Sequence, residues 1–248
     1  MSNLNLSNYL HPPITEAVIE VRVNKEISIG LTEKIANKLL KNYPNKLPSI
    51  NIIQQSFDNG IASLNANNGI QHGFQLRSND QLDVAIISQS SVTVARLAPY
   101  QGGVSLHDKF VNVWKVWKAI AKIQPISRIG VRYMNRIDIP LTDANKIELR
   151  DYLTFYPESP DLSNLPIAEY LIKVTQQVNE MWSATITSAT LQPILVNHIS
   201  LLLDIDVFRT EHIPIKDEDL WTMITEARSI KNTVFQSCIT QKTRDLFC

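Results

Sequence analysis

The sequence predicts an α+β fold, a mainly antiparallel sheet or sheets with long amphipathic helices packed on one face. Three observations predict it. Stretches that alternate apolar and polar residues come in consecutive groups. Each group ends in one long amphipathic helix. The plan of three strands followed by a helix occurs twice, over residues 74–122 and 167–239. No residue-level repeat accompanies it, so the doubling is one of topology.

The first strand follows Pro12-Pro13. From Ile14 to Asn24, Ala17, Ile19, Val21 and Val23 alternate with Glu16, Glu20 and Arg22, the period of a half-buried strand. Leu31, Ile35, Leu39 and Leu40 then recur at helical spacing from Leu31 to Tyr43, and Pro44 and Pro48 end that helix. One or two short strands are expected over 50–64, around the turn Asp58-Asn59-Gly60. A meander of 74–77, 82–88 and 92–97 turns at Ser78-Asn79-Asp80 and at Gln89-Ser90. After the loop Gly102-Gly103, Ser105 opens a long helix, with Asp108 at capping-box spacing. Leu106, Phe110, Val113, Trp114, Trp117, Ile120 and Ala121 form its apolar face.

A strand from Arg128 to Ile139 stops at Pro140. Prolines at 140, 157, 160 and 166 mark 141–166 as an irregular connector with a short helix over 146–153. Strands over 167–178, 182–191 and 198–208 follow. In the last, Ile199, Leu201, Leu203, Ile205 and Val207 point inward, and His198, Ser200, Asp204 and Asp206 outward. The final helix runs from Asp217 to about Ile239. Its buried stripe is Leu220, Ile224, Ala227, Ile230 or Lys231, Val234 and Cys238. Asp217, Glu218 and Asp219 suit the positive end of its dipole. The chain thus divides into an α+β half at 1–140, the connector at 141–166 and a βββα half at 167–248, unless the halves form one continuous domain. If helices cover one sheet face, the other is solvated or used for binding.

Composition narrows the function. The chain has 248 residues, 24 Lys plus Arg against 24 Asp plus Glu, and a formal net charge of zero, which disfavours a globally basic nucleic-acid binder. Apolar residues make up 44%, enough for a core that needs neither disulfide nor structural metal. The two cysteines, Cys238 and Cys248, make no disulfide framework, and no pair of Cys or His stands at zinc spacing. Phosphate-loop, dinucleotide, zinc-protease and nucleophile-elbow motifs are all missing, so no cofactor and no metal is expected. The first thirteen residues have neither the basic nor the apolar region of a signal peptide. No stretch approaches the ~18 apolar residues of a membrane span. A cytoplasmic protein without membrane contact is the expectation.

The most unusual segment is 109–136. Lys109, Lys115, Lys118, Lys122, Arg128, Arg132 and Arg136 lie in it without one Asp or Glu, whereas 137–169 holds seven acids. Lys115, Lys118 and Lys122 share a helix face. Either this patch meets phosphate or an acidic partner, or the strand arginines pair with internal acids such as Glu16, Glu20 or Asp138. Asn135 falls on the apolar face of its strand, where an amide must be hydrogen-bonded. The binding candidates are therefore Lys115, Lys118, Lys122, Arg132, Asn135 and Arg136. Asp204 and Asp206, two apart on one strand, point the same way. Gly102-Gly103 ahead of a helix is the one loop that could hold an anion.

Three segments carry a resemblance: His11-Pro-Pro-Ile-Thr-Glu-Ala-Val-Ile-Glu-Val-Arg22, Arg128-Ile-Gly-Val-Arg-Tyr-Met-Asn-Arg-Ile-Asp-Ile-Pro140, and the stretch from Arg228 through Lys231 and Phe235 to Phe247. They resemble a bacterial and archaeal family of sporadic distribution with no known activity. The resemblance spans Tyr9 to Phe247, and its most specific piece is the Arg-x-Gly-x-Arg-Tyr-x-Asn-x-Ile strand. The family's last segment is usually more acidic; here Gln236 follows Phe235. The sporadic distribution implies accessory cargo, such as a defence or toxin-neutralising module.

Three functions fit these readings. The first is a non-catalytic cytoplasmic module that binds a protein partner. The second is a nucleic-acid or nucleotide binder using the basic segment 109–136. The third is an enzyme whose site assembles around Arg132 and Asn135.

Overall fold

Alternation decides which side of each strand is buried. In β1 (Ile14–Val23), Ala17, Ile19, Val21 and Val23 are buried, and Glu16, Val18, Glu20 and Arg22 look the other way. The same period runs through β8 (Ile126–Pro140), which buries Ile129, Val131, Tyr133, Asn135, Ile137 and Ile139. It continues in β11 (His198–Arg209), which buries Leu201, Leu203, Ile205 and Val207. Pairing lays these sets side by side. Ala17 lies opposite Tyr133, and Tyr133 opposite Ile205, so one sheet face is continuous apolar surface.

The computed structural model describes residues 9–51, 55–58, 61–64, 70–122, 125–141, 147–158 and 167–248. The remaining elements are α1 (Ile29–Leu39), β2 (Asn45–Asn51), β3 (Gln55–Asp58), β4 (Ile61–Leu64), β5 (Ile70–Arg77), β6 (Asp83–Ser88), β7 (Ser91–Leu97), α2 (Gly103–Ala121), β9 (Leu171–Gln177), β10 (Ser183–Leu191), α3 (Asp217–Cys238) and α4 (Gln241–Asp245). Nine strands form one antiparallel sheet in the order β2-β5-β6-β7-β1-β8-β11-β10-β9. β3 and β4 pair as a separate hairpin. The meander-plus-helix plan occurs twice, as β5-β6-β7-α2 and β9-β10-β11-α3, with β1 and β8 side by side between the two meanders.

α1 packs on β5 and β6, α2 on β7 and β1, and α3 on β8 and β11. The helices bring apolar stripes to the sheet: Leu106, Phe110, Val113, Trp114 and Trp117 from α2, and Leu220, Ile224, Ala227, Val234 and Phe235 from α3. α2 and α3 run antiparallel along a common seam. Phe110 and His107 meet the Trp221 ring, and Trp114 reaches Asp217. Main helix contacts end at β11, so β9 is nearly bare on both faces. Among the described residues no helix is long and apolar enough to cross a membrane.

Local chemistry moves several boundaries from their expected places. α1 starts at Ile29, where the Ser28 hydroxyl accepts from the Leu31 amide at 3.3 Å, and stops at Leu39 rather than Tyr43. Pro48 does not end a helix but sits inside β2, at the sheet edge where a missing N–H is tolerated. α2 starts at Gly103, not Ser105. Gly102, at φ 93°, is its N-cap, and no side chain caps it. The expected short helix over 146–153 is a 3₁₀ turn at Leu149–Asp151, and residue 146 lies outside the described residues. The short α4, which Thr240 caps through the Thr243 amide, has no sequence counterpart. The expected turn residues Asn59 and Gly60 also lie outside the described residues.

Candidate functional site

The sequence candidates separate into three places. Lys115, Lys118 and Lys122 stay together on the solvent side of α2, around a shallow depression that Asp217 completes. Among the described residues only Lys118 forms an ion pair there: its ammonium donates to Asp217 at 2.7 Å. Arg132 and Arg136 project from the opposite, helix-free face of the sheet. Asn135 projects from the covered face. Odd and even positions of β8 diverge by the pleat, so no site contains both Arg132 and Asn135, and Arg132 is not beside the lysines.

On the open face the arginines meet carboxylates. Arg128 donates to Glu20 at 2.7 Å and to both oxygens of Asp206 at 2.8 and 2.7 Å, while its guanidinium lies 4.7 Å from the Phe208 ring. Arg132 grips Asp204 with three hydrogen bonds of 2.6–3.0 Å, and this bonding raises its pKa. Arg136 donates to Asp138 at 2.9 Å, to the Ser200 hydroxyl and to the Gln192 carbonyl. The register explains the reach. Arg132 lies opposite Asp206 but bonds Asp204, a diagonal neighbour within range of a long side chain. Asp204 and Asp206 are therefore counter-ions of arginines rather than a free carboxylate pair. Burial raises the Asp206 pKa, against the pull of Arg128. Among the described residues no three His, Cys, Asp or Glu side chains converge as a metal site would require.

The covered face holds a second polar group. Asn135 is 1% exposed; its amide donates to the Leu203 carbonyl at 2.8 Å and the Tyr133 carbonyl at 3.3 Å, and its Oδ1 has no partner. Two positions back, the Tyr133 hydroxyl shares a 3.0 Å hydrogen bond with Tyr100. Lys231 of α3, 2% exposed, holds its ammonium 3.8 Å from the Tyr133 ring centroid. One turn earlier, Arg228 packs over Gly103 at the start of α2, where any Cβ would overlap its guanidinium. Among the described residues neither Arg228 nor Lys231 pairs with a carboxylate. Burial, and then Arg228, push the Lys231 pKa well below that of an ordinary lysine. Burial also lifts Tyr133 well above the usual tyrosine value.

The comparisons add little to this geometry. No family model and no curated protein matches the chain. Among solved structures it is similar to DynU16, a protein of the dynemicin biosynthetic locus. That match has 10% sequence identity over 91% of this chain and 97% of the other, at a TM-score of 0.20. The absence of a family-model or curated match is consistent with the resemblance to a family without known activity.

Leu10, Leu47 and Val104 are exposed singly, whereas a larger group of exposed apolar residues gathers at the β9 end of the molecule. Leu171 is 70% and Val174 43% exposed on β9 itself. Val178 and Met181 crown one end of the strand. Ile194, Leu195 and Val196 crown the other, where the loop after β10 reaches 86% exposure at Val196. Sequence reading missed this surface because it takes alternating apolar residues to be inward-facing. The signal it could have used is the density of polar residues in Lys173-Val-Thr-Gln-Gln177, which leaves β9 without a core face.

Proposed function

We propose that the protein is a cytoplasmic, non-catalytic module that binds another protein by adding a partner strand to β9. The observation that carries this is an edge strand exposed on both faces. Seven residues of β9 pair with β10 on one side, and the outer row of backbone N–H and C=O groups is unpaired by any described strand. Such an edge is a template for strand addition, in which main-chain hydrogen bonds give affinity and flanking apolar side chains give specificity. Leu171 and Val174, one on each face, with Ile194 to Val196 at one end, supply the flanking contacts. The opposite edge, β2, carries Pro48 and so lacks one ladder donor.

The nucleic-acid reading has less support. Of the seven cations in 109–136, Lys109, Lys118, Arg128, Arg132 and Arg136 are bound to carboxylates. Lys115 and Lys122 alone are a thin basis for phosphate binding, whose strength grows with the number of neutralised phosphates.

Cross-linking mass spectrometry on the protein purified from its native host tests the proposal through Lys173, which stands in the middle of β9. One partner should cross-link to Lys173, and the double change Leu171→Asp, Val174→Asp should remove it without lowering the melting temperature. A partner retained by the double variant, or cross-linked only to other surfaces, overturns the β9 assignment.

A further inference from the structure

We propose that Arg228, Lys231, Tyr100 and Tyr133, with the uncapped first turn of α2, form a binding site for a phosphate group. This is separate from β9, and neither proposal depends on the other.

The argument starts from charge. Lys231 stands at a core position of α3, between Ala227 and Val234, because the helical period places it over the sheet. Its ammonium has lost nearly all its water, and among the described residues no carboxylate replaces that water. The Tyr133 ring face, 3.8 Å away, offers only a cation–π contact. Arg228, the charged group that acts on Lys231, has the same sign and, among the described residues, no carboxylate partner of its own. An isolated buried cation is costly, and the partly exposed Arg228 beside it, of the same sign, adds to that cost.

A third positive source completes the set. α2 begins at Gly103 with no side-chain cap, so its first amides are not satisfied by a side chain, and its dipole points positive at that end. The Arg228 guanidinium lies on this very residue. A cation resting on a helix N-terminus is unfavourable unless an anion sits between or beside them. The other described α-helices start differently: Ser28 caps α1, Thr240 caps α4, and three acids fill the first turn of α3.

The donors define the ligand. Arg228 ties the set together: its guanidinium lies against Gly103 at the start of α2 and acts electrostatically on Lys231 and on the hydrogen-bonded Tyr100–Tyr133 pair. Donors from several directions match the three or four oxygens of a phosphate better than the two of a carboxylate. Its charge near −2 balances the two cations. Tyr100, Gly102 and Arg228 are each partly exposed while Lys231 and Tyr133 are buried, so a ligand would approach the group from the start of α2. Gly103 is required there, because a side chain would take the space of the guanidinium.

The test is thermal unfolding of the full chain with inorganic phosphate, β-glycerophosphate, acetate and sodium chloride at equal ionic strength. The melting midpoint should climb with inorganic phosphate or with both phosphate probes, and stay level with acetate and chloride. A rise with inorganic phosphate alone identifies a free anion as ligand; a rise with both identifies a phosphomonoester site. Arg228→Met should weaken the effect about tenfold or more, the scale of one lost charge-assisted hydrogen bond, and Lys231→Met should abolish it. Arg228 is partly exposed, so its variant reports even if a core change unfolds the protein. No phosphate-dependent rise, the same rise with chloride, or an undiminished rise in Arg228→Met overturns the site.

Discussion

Lys118 on α2 donates to Asp217 Oδ1 on α3 at 2.7 Å, and the Trp114 indole donates to the same oxygen at 3.0 Å. This contact ties the C-terminal half of one helix to the first turn of the next. It also separates Lys118, hydrogen-bonded to Asp217, from Lys115, which acts on Asp217 only electrostatically, and from Lys122. Burial works against the Asp217 charge, but the hydrogen bonds from Lys118 and Trp114 outweigh it and lower its pKa. Lys118→Glu should therefore lose about 1–2 kcal/mol, as an ion pair becomes a repulsion. Lys115→Glu and Lys122→Glu should each stay within about 0.5 kcal/mol of the parent. The pH dependence follows from the lowered pKa. The stability contributed by Asp217 is complete above about pH 4, the unfolded carboxylate value, and is lost as pH falls through the folded value. Urea unfolding of the Lys118→Met variant should show a shallower loss in that acid window.

Trp114 has a larger part in the core. It is 3% exposed, stacks on Trp117 with centroids 5.1 Å apart, and lies 6.2 Å from Phe110. Trp114→Ala removes that volume and strips Asp217 of a donor. The cost should be about 3–5 kcal/mol, equivalent to roughly 6–20 °C in a domain of this size. A calorimetric midpoint that moves by less than a few degrees contradicts this packing.

Arg128 holds Glu20 of β1 and Asp206 of β11 from the strand between them. Arg128→Met strips Asp206 of its hydrogen-bonded cation and leaves it beside Glu20, which keeps only the more exposed Arg22 at 2.9 Å, and should cost about 2–4 kcal/mol at neutral pH. Adding Glu20→Gln and Asp206→Asn should recover most of that loss, because the penalty comes from unpaired charge rather than from the missing ion pair. Asp206 already has a raised pKa in the folded protein. Its linkage term therefore favours the fold below about pH 4 and is lost as pH rises through the folded value. Without Arg128 that value climbs further, so the single variant should fall furthest behind the parent near neutrality and regain ground on acidification. Chemical denaturation at pH 4 and pH 7 measures both.

The strands were legible where the pattern has a clean period of two. Residues 14–23, 126–140 and 198–209 each have one apolar and one polar side, and each became a central strand of the sheet. The long helices were legible for the same reason at period 3.6. What one chain cannot encode locally is register. The basic run 109–136 looked like a patch because its acids lie elsewhere in sequence, at Glu20, Asp83, Asp204, Asp206 and Asp217. Only strand pairing, the packing of α2 over the sheet and the α2–α3 seam bring them within 3 Å. The start of α2 was placed two residues late because Gly102 adopts a positive φ that no side-chain motif announces. The choice between Ile230 and Lys231 on the α3 stripe could not be made from hydrophobicity, which favours isoleucine. Position decides for lysine, four residues after Ala227 and seven after Ile224. The expected fates of the two cysteines agree with the structure: Cys238 is buried, its thiol pushed up to about 11, and Cys248 is exposed.

Lys231 gives the sharpest pH signature. Burial and the neighbouring Arg228 lower its pKa in the folded chain, whereas the unfolded lysine titrates near the ordinary ~10.4. Among the described residues the groups that face it are Arg228 on its own helix and Tyr133 on β8, with Tyr100 behind Tyr133; none of these is an acid. Between the two pKa values the unfolded chain holds one more proton than the folded one. Stability must then rise with pH across that window, by at most ~1.4 kcal/mol per unit for one proton. Lys231→Met keeps the length of the side chain, keeps its contact with the Tyr133 ring and removes the charge. In the absence of phosphate it should equal or exceed the parent in stability at pH 7, and the alkaline rise should vanish from its profile. Tyr133 works in the opposite direction at higher pH. Its raised pKa means that the folded chain keeps a proton the unfolded chain gives up above ~10, so stability falls there in parent and variant alike. Guanidinium unfolding from pH 6 to pH 10 compares the two slopes directly. A Lys231→Met protein that is less stable than the parent at every pH, with the same slope, would show that the lysine is paired and charged in the folded state.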